Sequence, residues 1–154
     1  MQATQQIIFK IHDGEYGFDV SKVNGIETLH NVVAVPNTAS HILGIINLRG
    51  VVIPIYSLRA KFGLPEVPVD DHTKIIVTTS NGVTIAFKVD EVKEIIECTV
   101  DKLCAFPVIA RTEETAYVDV VANHNNRLIL LLDQDRILGK QEAEAISEFV
   151  NELK

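Results

Sequence analysis

The groups on which chemistry would draw in this 154-residue chain are five histidines, two cysteines, five serines and adjacent carboxylates such as Asp70-Asp71 and Glu113-Glu114. His12, His30, His41, His72 and His124 fall mostly at turns or loops. Without an H-E-x-x-H or Cys/His spacing to bring two ligands onto one face, they read as surface or turn residues rather than metal ligands. Cys98 and Cys104 are too far apart for a C-x-x-C half-site, and their neighbours Val100, Leu103 and Phe106 point to partly buried thiols in a reducing compartment. No G-x-S-x-G elbow surrounds Ser21, Ser40, Ser57, Ser80 or Ser147, which read as solvated or helix-capping hydroxyls. Asp70-Asp71 and Glu113-Glu114 lie in stretches that read as exposed connections, where nothing raises a carboxyl toward acid-base work. The glycines are scattered, with neither G-x-G-x-x-G nor G-x-x-x-x-G-K to cradle a phosphate. The expectation is a chain with no catalytic residue, no metal and no cofactor.

Charge narrows the partners. A formal charge of −7 and a pI near 5.2 argue against nucleic acid, whose binding draws on Lys and Arg neutralising phosphates. The uncharged stretch from Asn31 to Leu48 includes Pro36, Thr38, Ser40 and His41 and is unsuited to crossing a bilayer as a helix. A cytoplasmic protein without direct membrane insertion is therefore expected. A different signal stands at Ile42–Ile55, an apolar hairpin pattern with one charge, Arg49, at its turn. Such an arginine either braces a loop through a charge-assisted bond or anchors a partner.

The elements that would position these residues are mainly strands. Ile7–Ile11 and Tyr16–Val20 flank Asp13-Gly14, a pair suited to the φ > 0 geometry of a tight turn. Ile75–Val77 and Val83–Val89 flank Asn81-Gly82 in the same way. Phe18-x-Val20-x-x-Val23-x-x-Ile26 lines up with Phe87-x-Val89-x-x-Val92-x-x-Ile95 at an offset of 69 residues, an internal repeat. The pattern continues through Gly44–Leu58, around Asn47-Leu48-Arg49-Gly50, and Tyr117–Asp133, around Asn123–Asn126. Half-chains of this size are poor stand-alone folds, so the two copies are expected to share apolar faces as paired small barrels. Asp13, Gly14, Gly44, Gly50, Asn81 and Gly82 are the expected structural turn residues. After Asp133 the period changes, and Ile146, Phe149, Val150 and Leu153 at helical spacing predict an amphipathic helix over 141–154.

The run Gly44-Ile45-Ile46-Asn47-Leu48-Arg49-Gly50-Val51-Val52-Ile53-Pro54-Ile55, followed by Leu58-Arg59-x-x-Phe62-Gly63-Leu64, resembles the signature of the CheW family. Similarity extends from about Gln6 to Leu138. It includes Tyr16-Gly17-Phe18-Asp19-Val20-x-x-Val23 and Arg127–Asp133. The sequence departs from the usual pattern at Gly25 and Ser57, where acids are common, and at Val120 and Ala122, where glycines are common.

The resemblance implies a single all-β CheW-like domain over 1–154, built from two SH3-like five-stranded β-barrel subdomains sharing a core, with a C-terminal α-helix. The expected limits are 16–72 for the first subdomain and 6–15 plus 73–138 for the second. It further implies a non-catalytic adaptor recruited to membrane-associated chemoreceptor arrays. Its partners would be the chemoreceptor cytoplasmic tip, the regulatory domain of the histidine kinase CheA and other CheW-like domains in array rings. The receptor tip would dock near Val20, Val23, Ile26, Asn47 and Arg49, and the kinase at the barrel ends. The alternative reading is a ligand-sensing or accessory scaffold domain using the groove between subdomains.

Overall fold

A computed structural model of the chain describes residues 4–29, 31–35, 41–80, 82–112, 115–138 and 140–152. The strands are β1 (Thr4–Ile11), β2 (Gly14–Asp19), β3 (Val23–Thr28), β4 (Ile42–Leu48), β5 (Val51–Ser57), β6 (Lys74–Ser80), β7 (Val83–Val89), β8 (Glu91–Cys98), β9 (Leu103–Ala105), β10 (Val118–His124) and β11 (Arg127–Leu132). The helices are α1 (Leu58–Lys61), α2 (Gln134–Ile137) and α3 (Lys140–Glu152), with 3₁₀ turns at Val20–Lys22 between β2 and β3, at Val100–Lys102 and at Val108–Ala110. The four expected hairpins form: β1 with β2, β4 with β5, β6 with β7 and β10 with β11.

The strands assemble into a six-stranded sheet, β8-β1-β2-β11-β10-β9, and a five-stranded sheet, β3-β6-β7-β5-β4. Each repeat is divided between them. The first hairpin of one copy, β1-β2, joins β8, β10 and β11 of the other, while β6-β7 joins β3, β4 and β5. The sheets thus consist of 4–19 with 91–132, and 23–57 with 74–89, which differs from the limits expected from sequence. The register explains the difference. Ile7 pairs with Phe18 and Ile76 with Phe87, so each hairpin stays whole and the chain crosses over only afterwards, at Val20–Lys22 and at Asp90.

The repeat is visible at single-residue resolution. Pairing skips Asn24 on β3 and Lys93 on β8, residues 69 apart. It also skips Leu43 on β4 and Asp119 on β10, 76 apart. Such bulges sharpen the strand twist, so their repetition bends both sheets alike.

Alternation along the strands sends side chains to three clusters. Ile8, Ile96, Ile129 and Leu131 fill one face of the six-stranded sheet, and Ile53, Ile55, Ile75 and Val77 the corresponding face of the other. Between the sheets lie Ile7, Phe9, Phe18, Tyr56, Ile76 and Phe87. Phe18 and Phe87, equivalent residues of the repeat, meet there at 5.4 Å between ring centroids, and Tyr56 packs on Phe87 at 5.4 Å. The C-terminal helix forms as expected, with Ile146 buried in this central cluster; Leu153 lies outside the described residues.

Two turn expectations change. The positive φ in the first hairpin is at His12 (54°), because Gly14 pairs with Ile11 as the first residue of β2 and the loop is His12-Asp13. Gly44 lies inside β4 beside the bulge rather than in a turn. Gly50 and Gly82 take φ of 86° and 78° in their turns, and Asn81 lies outside the described residues.

Candidate docking surfaces

Arg49 is placed by backbone geometry that its own side chain does not favour. In the β4–β5 turn Arg49 and Gly50 have φ of 52° and 86°, and the Asn47 Oδ1 accepts the Gly50 N–H at 2.9 Å. Two successive residues at positive φ are what a type I′ hairpin turn requires, and a short acceptor side chain at the first corner closes it. The β10–β11 turn repeats this, with Asn125 and Asn126 at 52° and 66° and Asn123 Oδ1 accepting the Asn126 N–H at 3.1 Å. Asn47 therefore acts within the turn. Arg49 projects from it, its side chain 73% exposed, and donates to Glu27 Oε1 on β3 at 2.9 Å. So open a pair contributes under about 1 kcal/mol, positioning the guanidinium more than it stabilises the fold.

The Glu27–Arg49 pair bridges β3 and β4, the two edges of the five-stranded sheet, and a cleft lies on either side. One, of about 270 Å³, is lined by Asn24, Gly25, Leu48, Val51, Val77 and Thr84 among others. The second, of about 220 Å³, is bounded by Thr28, Asn31, Val33, Ile46, Asn47 and Ile75 together with Glu27 and Leu48, which both clefts share. Val33 and Val51 stand exposed at the rims.

The matching end of the other sheet is closed by charge. Arg127 reaches Glu94 at 2.7 Å and Glu15 at 3.6 Å, and Lys93 reaches Glu15 at 3.7 Å. The repeat places Asn24, Gly25 and Val51 opposite Lys93, Glu94 and Arg127. Gly25, which lines the first cleft, has no side chain where the other repeat carries Glu94.

The other residues expected at a docking site sit apart from Arg49. Val20 and Val23 are half-buried against the central cluster between the sheets. Ile26 is 39% exposed on β3 and pairs with buried Ile76, at the rim of that cluster. The structure therefore divides the five residues between the edge of the inter-sheet core and the Glu27–Arg49 seam.

Ser57 caps α1 by accepting the Ala60 N–H at 3.0 Å and donates its hydroxyl hydrogen to Glu66. The following Arg59 is buried and donates to Asp90 at 2.6 and 2.9 Å.

Among groups weighed for chemistry, His12 and His72 are exposed beside acids, and His30 and Glu113-Glu114 lie outside the described residues. Cys98 is buried and its thiol is pushed up by burial, whereas Cys104, expected to be partly buried, is exposed on the short strand β9. Among the described residues no cluster of three or more His, Cys, Asp or Glu could hold a metal ion. No helix there is long and apolar enough to cross a membrane. Sequence reasoning missed one cluster. His41 Nδ1 lies 3.1 Å from Glu142 Oε2 and 3.2 Å from Tyr56 Oη, and the Tyr56 hydroxyl donates to Glu142 Oε1. Burial and that hydrogen bond drive the Tyr56 hydroxyl far above its ordinary pKa.

The family model for the CheW-like domain matches residues 5–142. The chain belongs to the CheW-like family. It is 32% identical to the chemotaxis protein CheW of Klebsiella aerogenes over 88% of this chain and 82% of that one. With the chemotaxis protein CheW of Bacillus subtilis it shares 28% identity over 92% and 90% of the two chains. A crystal structure of the scaffolding protein TtCheW from Thermoanaerobacter tengcongensis superposes with a TM-score of 0.80 at 25% identity, covering 89% of this chain and 93% of that one.

Proposed function

We propose that this CheW-like protein is a non-catalytic coupling protein that joins the cytoplasmic tips of chemoreceptors to the regulatory domain of the histidine kinase CheA. On this reading residues 1–154 act as one domain in the cytoplasm, drawn to membrane-associated arrays. There they meet other CheW-like domains in rings. The observation carrying the reading is Arg49, held exposed on a type I′ turn by Asn47 and Glu27 and flanked by clefts with apolar rims. An arginine beside apolar pockets has the composition of an interface hot spot. Val20, Val23 and Ile26 supply the apolar part of the receptor contact. Array function then follows from holding two partners on one small rigid body, which raises the effective concentration of one for the other.

Titration of the purified chain against a soluble receptor-tip fragment and a CheA regulatory domain tests the reading. Arg49→Glu is expected to weaken receptor binding at least tenfold with an unchanged melting temperature, since the pair it breaks is solvent-exposed. Undiminished binding by the folded variant would remove Arg49 from the contact. The second reading, ligand sensing, draws on the 270 and 220 Å³ clefts. It predicts a thermal shift with a small molecule that Val51→Arg abolishes.

A further inference from the structure

We propose that α3 is a displaceable lid over part of the apolar surface that ends at Val23, so that the chain controls access to that surface. The partner named in this inference rests on the function proposed above. The five-stranded sheet carries two cross-strand rows on the face turned toward the other sheet. Ile26, Ile76, Phe87 and Tyr56 form one row, whose centre is sealed by Phe18. Val23, Thr78 and Ile85 form the next. Helix α2 and Leu138 cover this second row, joined by Ala143 of α3. Thr78, Val83, Ile85 and Phe87 line a cavity of about 50 Å³ whose other walls include Gln134, Leu138 and Ala143. Only the Val23 end of the row runs out toward the expected receptor site. A partner helix extending its contact inward from Val23 would meet α2 and α3 on the same side chains.

Ile137 and Ile146 anchor the helices in the central cluster, with Leu138 and Val150 packed against it, and polar bonds add to this. Glu142 accepts the Tyr56 hydroxyl and sits 3.1 Å from His41 Nδ1. Lys22 bridges to Asp135 at 2.9 Å, and Gln134 Nε2 donates to the Asp19 carbonyl at 3.4 Å, fastening α2 to the 3₁₀ turn that carries Val20. Among the α3 side chains described, Ile146 alone is fully buried, while Ala143, Phe149 and Val150 are half-buried. A 13-residue helix is marginal without tertiary support, so a released α3 melts and leaves that surface as a local unfolding unit. The family match ends at residue 142, so most of α3 lies beyond the shared domain. The surface accepts an amphipathic helix because one fills it now, and the displacing partner is the helical receptor tip.

Full-length Glu142→Ala and Tyr56→Phe each remove the hydroxyl–carboxylate joint while leaving the apolar contacts in place. Hydrogen exchange of amides 143–152 is expected to quicken about fivefold in each, with β1 and β6 unchanged. Affinity for a soluble receptor-tip hairpin should rise, by no more than the gain in open fraction. Exchange of α3 only in step with the core strands would overturn the lid, as would a loosened helix with unchanged or weakened binding. A labelled peptide of residues 140–154, added to the Glu142→Ala chain, should bind saturably whether or not the tip fragment does; absence of binding also overturns the lid. Peptide binding without any tip binding would keep the lid and reject the receptor as its partner.

Discussion

Asp90 shows how one side chain ties distant segments together. It accepts from Arg59 in α1 and from the His12 N–H in the first hairpin at 2.7 Å. Burial pushes its carboxyl up, but the Arg59 hydrogen bonds, the His12 amide and the charges of Arg59 and Lys88 together hold it below the ordinary value. A carboxylate with a lowered folded pKa stabilises the fold above its unfolded value, near 3.9, and loses that contribution as the pH falls through the folded one. Asp90→Asn is therefore expected to lower the urea midpoint at pH 7 and to flatten its decline below about pH 4. Arg59→Ala should cost about 2 kcal/mol at pH 7, read from the same midpoints, because it strips charge-assisted bonds from a half-buried acid. Little of this was legible in the chain. Arg49 was singled out by its isolation among apolar residues, but Glu27, 22 residues away, and the His41–Tyr56–Glu142 cluster come together only through strand closure and helix docking.

Element by element, the hairpins were the readable part, because alternation and turn residues are local properties. The β4–β5 hairpin also sets limits that sequence patterns do not reveal. A Cβ at Gly44 would stand 2.3 Å from the Val33 carbonyl oxygen, where Val33 and Ile45 exchange two backbone hydrogen bonds of 2.9 Å. Gly44→Ala is expected to cost about 2–3 kcal/mol, through separation of that bridge or strain at the bulge, and calorimetry would register it as a lower melting temperature. Gly50 has open space around it but a φ of 86°, so Gly50→Ala should cost only about 1 kcal/mol, from backbone conformation alone. A larger loss for Gly50→Ala than for Gly44→Ala would contradict this assignment of clash and strain. The turn in the first hairpin was misplaced by one residue because Asp-Gly is a strong local signal, whereas the loop is set by the pairing of Ile11 with Gly14 and by the Asp90 bond to His12.

Across the whole molecule, the duplication was legible and its assembly was not. Two equal repeats can pair within themselves or exchange strands with identical local patterns, and only the crossovers after β2 and β7 decide between these arrangements. The exchange makes both sheets depend on both halves. Residues 1–72 alone are therefore expected to remain unfolded by circular dichroism, and mixing with 73–154 should restore β signal at a concentration-dependent rate. Independent folding of either fragment would contradict the interleaved topology. Phe18→Ala and Phe87→Ala should each cost about 3–5 kcal/mol and loosen both sheets together, since the two rings meet between them.

The position of β1 has a mechanical consequence. The N-terminal strand is paired on both edges, between β8 and β2, so it cannot peel from a free rim. A load applied along it from the N-terminus must shear two ladders at once, whereas a load on α3 meets a few side-chain bonds and one buried isoleucine. Tethered by its two ends, the molecule should yield first at the C-terminus, shedding α3 at low force while both sheets remain intact.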